Sequence, residues 1–149
     1  MKALIQRVRE AHVEVNKDGH AIQVGAIGPG LLVLLGVESG DTSASMQKLM
    51  DKCLAYRLFA DDHGKMNLSL LDSGGELLLV SQFTLCADTG RGLRPSFSKA
   101  APPALAEQLY LEAANYVVAK LGSVQTGQFA ADMQVHLIND GPVTFSLEV

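Results

Sequence analysis

The residues best suited by type to chemistry are four histidines, one threonine just past a strand, and a few aspartates in turns. His12, His20 and His63 lie in or beside early strands and turns, while His136 alternates along a late strand. No two of them have the sequence spacing of a metal site, so each is expected to be solvated or hydrogen-bonded, and no metal is expected. A serine hydrolase needs a nucleophile, a base and a group that orients the base, and no GxSxG elbow occurs. Asp61-Asp62 and Asp140 sit in turn-like stretches, where Asp is favoured for its own bonds to the backbone. Thr84 is the obvious nucleophile, but a Thr hydroxyl needs an activating base and none can be placed beside it. Ser81 and Gln82 read as polar groups that orient a ligand or the loop. A P-loop and a GxGxxG turn are both missing, so no nucleotide cofactor has an anchor, and none of any kind is expected.

The elements that must position these residues follow from periodicity. Apolar alternation predicts strands at Ala3 to Val8, Val13 to Val15, Ile22 to Ile27 and Leu31 to Val37, with turns at Asn16-Lys17-Asp18-Gly19 and Gly28-Pro29-Gly30. Asp41 or Thr42 caps a helix whose stripe runs through Met46, Leu49, Met50, Cys53, Leu54 and Leu58. Asp72-Ser73-Gly74-Gly75 precedes a strand at Leu77 to Val80, and a long loop fills Ala87 to Ala101. Pro102 and Pro103 open a second helix, with Ala106, Leu109, Tyr110, Ala113, Val117 and Leu121 on one stripe and Gly122 at its end. Two closing strands, through Met133, Val135 and Leu137 and through Val143, Phe145 and Leu147, flank Asn139-Asp140-Gly141-Pro142, which reads as a turn. The pattern argues for an α+β domain, residues 1–149, with a curved, mostly antiparallel, barrel-like sheet covered by two main helices.

A chain of 149 residues can bury a core without disulfides. Cys53 and Cys86 form no CxxC pair, which fits a reducing compartment. Hydrophobic residues make up 48% of the chain and charged residues 19%, an apolar excess that suits a subunit interface. Strand-type residues follow Met1 directly and no apolar run reaches membrane length, so a cytoplasmic protein without a membrane partner is expected. The net charge of −4 excludes a broad electrostatic footprint on nucleic acid, so an RNA partner must be gripped locally.

Two segments, Ser81-Gln82-Phe83-Thr84-Leu85 and Asn139-Asp140-Gly141-Pro142-Val143-Thr144, match the paired signatures of the D-aminoacyl-tRNA deacylase family. Ile5-Gln6-Arg7-Val8, Gly92-Leu93-Arg94-Pro95-Ser96-Phe97, Leu109-Tyr110 and Thr126-Gly127-Gln128-Phe129 fall in family order, so the resemblance spans the chain. It implies a homodimeric esterase of that fold, acting on the acceptor end of aminoacyl-tRNA. It further implies that Gly141-Pro142 is cis and enters the partner's active site, where fixed backbone oxygens refuse an L side chain and admit a D-residue or glycine. Ser81 to Thr84 would floor the same pocket, with backbone N–H groups near Phe83 and Thr84 receiving the ester carbonyl. The ribose hydroxyl beside the ester would then assist water.

By the same resemblance, Phe129 and Met133 receive the terminal adenosine, an aromatic face and a thioether suiting a base. The sequence departs from the family at Ala130, where glycine is expected. Arg7 is implied to hold the Gly141-Pro142 carbonyls; read alone, it is an inward charge needing a partner or an exposed strand arginine. Arg91, Arg94 and Lys99 can meet phosphates or form plain surface. Two rival readings are a freestanding editing domain of synthetase type and a noncatalytic RNA-binding dimer.

Overall fold

The computed structural model describes residues 1–90 and 92–149. Its organising element is β1 (Lys2–Lys17), in which Ala3, Ile5, Val8, Ala11, Val13 and Val15 are buried. The buried positions change parity at Val8 and again at Ala11, as extra residues in a ladder require. The expected gap after Val8 is therefore a pair of irregularities inside one strand, both on the side facing β8 (Met133–Glu148).

On its other side β1 pairs antiparallel with β2 (His20–Ile27) along its second half and with β3 (Gly30–Gly36) along its first. Beyond β3 the pairing is parallel, to β6 (Glu76–Ser81) and then to β7 (Gln125–Thr126). The sheet is thus mixed: the antiparallel expectation holds around β1, and parallel neighbours appear where helical crossovers separate the strands. The strand order β2-β1-β3-β6-β7 curls until its ends meet and nearly closes a barrel. At that seam a Cβ on Gly25 would lie 2.5 Å from the Thr126 carbonyl oxygen, which only glycine permits.

Both faces of β3 are covered, which explains its unbroken apolar run. Leu31, Val33 and Leu35 join Leu49, Leu54, Leu109 and Val117 beneath the helices. Leu32 joins Val8, Val13, Leu78 and Val80 inside the barrel. The first helix, α1 (Ser43–Ala55), is capped by Thr42, whose hydroxyl accepts from the Ser45 amide while Ser45 Oγ accepts from the Thr42 amide. Asp41 accepts instead from the Glu38 amide. The helix stops before Leu58, which is nevertheless buried.

Short elements that lie outside the sequence expectation include β7, the hairpin of β4 (Phe59–Ala60) and β5 (Met66–Leu68), and the single turn α2 (Leu70–Ser73), capped by Ser69. The last helix, α3 (Pro103–Leu121), begins on a proline and ends at left-handed Gly122, as its sequence predicts. Among the described residues no helix is long and apolar enough to cross a membrane.

The last strand gives the clearest departure. Asn139-Asp140-Gly141-Pro142 does not turn between two strands; β8 runs through it as one element. Gln6 pairs with Thr144 and Val8 with Asn139, so β1 advances two residues while β8 advances five. The surplus stands out from the ladder as a tip.

Candidate active site

β6 ends at Ser81, Gln82 turns the chain, and a 3-10 turn follows at Phe83–Cys86. The Gln82 amide bonds to the Leu35 carbonyl at 2.8 Å, which keeps this turn against the end of β3. The turn has no side-chain cap. Its opening N–H groups, from Phe83 and Thr84, therefore have no partner within it. The Gln82 side-chain amide donates to Thr84 Oγ1 instead.

Beside this turn lies a cavity of about 560 Å³, into which Ser81, Gln82 and Phe83 project from one wall and Phe129, Ala130, Asp132 and Met133 from another. Leu35 and Val80 close its inner end, and Pro103 and Ala106 of α3 complete the rim. Five of the residues singled out in sequence thus share one cavity. Thr84 reaches it only through Gln82, and neither His, Asp nor Glu is bonded to its hydroxyl among the described residues. Asp132, exposed at the rim, is the one ionisable side chain among the lining residues, and sequence reasoning passed over it.

The wall that carries Phe129 and Met133 is held from beneath. Tyr110 Oη donates to the Leu79 carbonyl at 2.9 Å, and the Gly127 amide donates to the same oxygen at 3.0 Å. Burial pushes the Tyr110 hydroxyl up to about 12, past the opposing pull of its bonds to Thr126 and Gly127. The Tyr110 and Phe129 rings meet with centroids 5.8 Å apart. Ala130, in the position where a glycine is expected, has φ +58°, a left-handed conformation that costs an L-residue about 1 kcal/mol. On the opposite side Phe83, 57% exposed, leans on Phe97 with centroids 4.9 Å apart. Nearby, Lys99 Nζ lies 3.6 Å from an Asp88 carboxylate oxygen and Arg94 is exposed; Arg91 lies outside the described residues.

Gly141, Pro142 and Arg7 are not in this cavity. Asn139, where the tip begins, lies six positions and about 20 Å of strand beyond Met133. The Gly141-Pro142 peptide is cis. Arg7, its side chain 16% exposed, donates from Nε to the Asp140 carbonyl at 2.9 Å and from Nη1 to the Leu58 carbonyl. Its bonds thus reach the carbonyl just before Gly141 rather than those of Gly141 and Pro142. Asn139, which sequence reasoning treated as turn material, closes the tip: its Oδ1 accepts from the Val143 amide at 2.6 Å, and its Nδ2 donates to the Val143 carbonyl at 3.2 Å and to Thr144 Oγ1 at 3.0 Å. Arg9 Nε lies 3.1 Å from the Asp140 carboxylate, so Asp140 is an ion-pair partner here rather than a turn former. Asp61 is a turn former as read, its carboxylate accepting from the His63 and Lys65 amides.

Two of the histidines meet in a way that their sequence spacing does not show. His12 and His136, 124 positions apart in the chain, are direct cross-strand partners on β1 and β8, and their rings stack with centroids 4.4 Å apart. Spacing along the sequence cannot reveal a pair made by strand register.

The chain is similar to known proteins along its whole length. The family described as D-Tyr-tRNA(Tyr) deacylase matches residues 4–148. A D-aminoacyl-tRNA deacylase of Shewanella loihica is 62% identical over 149 residues, all of both chains. One from Pseudomonas fluorescens is 60% identical over 152 aligned positions, 99% of each chain. Among solved structures, the c-Myc DNA unwinding element binding protein is 40% identical with a TM-score of 0.91, over 100% of this chain and 99% of its own. A probable eukaryotic D-amino acid tRNA deacylase, 16% identical, shares the fold with a TM-score of 0.81 over 98% of each chain.

Proposed function

The chain belongs to the D-Tyr-tRNA(Tyr) deacylase family and is a hydrolase of D-aminoacyl-tRNA, and on that premise we propose how its residues divide the work. The terminal adenosine stacks on Phe129 and Met133, and the ester lies over Ser81, Gln82, Phe83 and Thr84. The amides of Phe83 and Thr84 receive the carbonyl oxygen as it becomes an oxyanion, each supplying roughly 3 kcal/mol. Water adds to the carbonyl carbon, the bond to the ribose oxygen breaks, and that oxygen takes up a proton. The neighbouring ribose hydroxyl positions the water, because Thr84 lacks a base and its oxygen already accepts from Gln82.

Selectivity comes from the Gly141-Pro142 tip of a second copy, which reaches the mouth of the cavity in a twofold dimer. Main-chain carbonyls there occupy the space of an L side chain, which must clash with them or strip them of water; a D side chain points away. Glycine has nothing to reject and is hydrolysed too. The observation that carries this reading is the separation of tip from cavity within one chain, together with the fixing of the tip by Arg7 and Asn139. A cytoplasmic dimer on the acceptor end of tRNA follows.

One tRNA charged in turn with each enantiomer of the same amino acid tests the reading. Rapid release of the D-residue with the L-ester spared is expected; equal rates for the two would overturn it.

A further inference from the structure

We infer that His12, Glu14 and His136 form a site for a divalent transition metal of the zinc type on the outer face of β1 and β8. His12 and His136 are paired across the strands, and Glu14 follows His12 by two residues, which puts all three side chains on one face. Nε2 of His12 lies 3.8 Å from Glu14 Oε1, and Nε2 of His136 lies 3.6 Å from Glu14 Oε2. The three candidate ligand atoms fall within 4.8 Å of one another.

Those distances suit an ion. Around a tetrahedral zinc with bonds of about 2.0–2.2 Å, ligand atoms sit roughly 3.3–3.5 Å apart, so closure asks only a few tenths of an ångström of each carboxylate–imidazole pair, while the two imidazoles, stacked within 5° of parallel, must swing about their side-chain torsions until their lone pairs converge on one point. The separations exceed hydrogen-bond length, and among the described residues none of the three side chains makes a hydrogen bond elsewhere. Two imidazoles and one carboxylate favour zinc, cobalt or nickel over the all-oxygen shells of magnesium and calcium. A cavity of about 450 Å³, lined also by Glu10 and Ile138, borders the pair and leaves room for water in the fourth position. The scaffold is the longest strand pairing in the fold, so the ligands are presented on a rigid backbone.

The bound ion would staple β1 to β8 a few residues from Asn139. His136 sits on the opposite face of β8 from Val135, which lines the candidate active-site cavity.

Zinc chloride titrated into chelator-stripped protein, followed by calorimetry and by competition with a chromogenic chelator, tests the site. One Zn²⁺ per chain is expected. His12→Gln, Glu14→Gln and His136→Gln should each weaken it tenfold or more, and His63→Gln, in an exposed turn, should leave it unchanged. Zn²⁺ at a hundredfold excess over its dissociation constant should raise the unfolding temperature by roughly 5–10 °C in the parent and not in a His12→Gln/His136→Gln variant whose circular dichroism is unaltered. Absence of saturable binding, or equal zinc affinity in that double variant, would overturn the assignment and leave an ordinary surface cluster.

Discussion

The cavity and the tip are built on opposite plans. At the cavity the polar groups on the walls are a few side chains, and the short turn beside it has opening amides unpaired within it and one internal side-chain bond, from Gln82 to Thr84. At the tip the groups flanking Gly141 and Pro142 are tied: Asn139 spans it with three bonds, Arg7 fixes the Asp140 carbonyl and Arg9 the Asp140 carboxylate. The difference matches the proposed tasks. A receiving surface can leave its donors free for a ligand, whereas an excluding surface must not yield when the wrong ligand presses on it.

The contrast breaks most severely at Gly141. Its φ is +151°, and a Cβ there would lie 2.6 Å from Val143 Cγ2 and 2.9 Å from the Val143 amide nitrogen. Gly141→Ala should therefore displace the tip and lower kcat/KM for D-aminoacyl-tRNA by about a hundredfold or more, measured on a variant shown to be folded. Next comes Arg7→Ala, which frees the Asp140 carbonyl; the ratio of D to L hydrolysis should fall about tenfold while cavity-only binding of an adenosine analogue is retained. An unchanged ratio would mean that the arginine is structural only.

Smaller effects sharpen the picture. Asn139→Ala should cost about 1–3 kcal/mol in denaturant unfolding, because it strands the Val143 amide, and should relax selectivity in parallel. Thr84→Ala should stay within about tenfold of the parent rate, against the roughly 10⁶-fold that loss of a covalent nucleophile costs. Total loss of activity in a folded Thr84→Ala protein would restore the covalent mechanism. Tyr110→Phe should lower stability by about 1 kcal/mol. Its pH dependence has a definite sign: the folded hydroxyl is raised from 10.0 to about 12, so its contribution is complete below pH 10 and is lost as pH climbs towards 12. Stability curves of parent and Tyr110→Phe should converge in that window.

Much of this was legible in the residues. Prolines at the start of α3, Gly122 at its end and the apolar run of β3 say in sequence what they do in space. The parity slips of β1 were visible as well, since Val8 breaks the alternation of Ala3 and Ile5, but a slip and a gap look alike without the partner strand. Polar Asn139-Asp140-Gly141-Pro142 mimics a turn because turn residues also suit a bulge. His12 with His136, and Tyr110 beneath the Leu79 carbonyl, depend on register and packing between distant segments, which no local pattern encodes. The cavity residues emerged through resemblance to a family, and Asp132 was missed because a lone exposed aspartate carries no pattern.

The extra residues of β8 have a consequence for solubility. Among the described residues β8 pairs with β1 alone, so its other side offers a row of unpaired main-chain groups, the kind of border on which foreign strands can stack into aggregates. The bulge interrupts that row midway, and Pro142 removes one donor from it. A neighbour adding there would meet two short, misaligned stretches instead of one long rail, so the protrusion also guards this border against open-ended strand stacking.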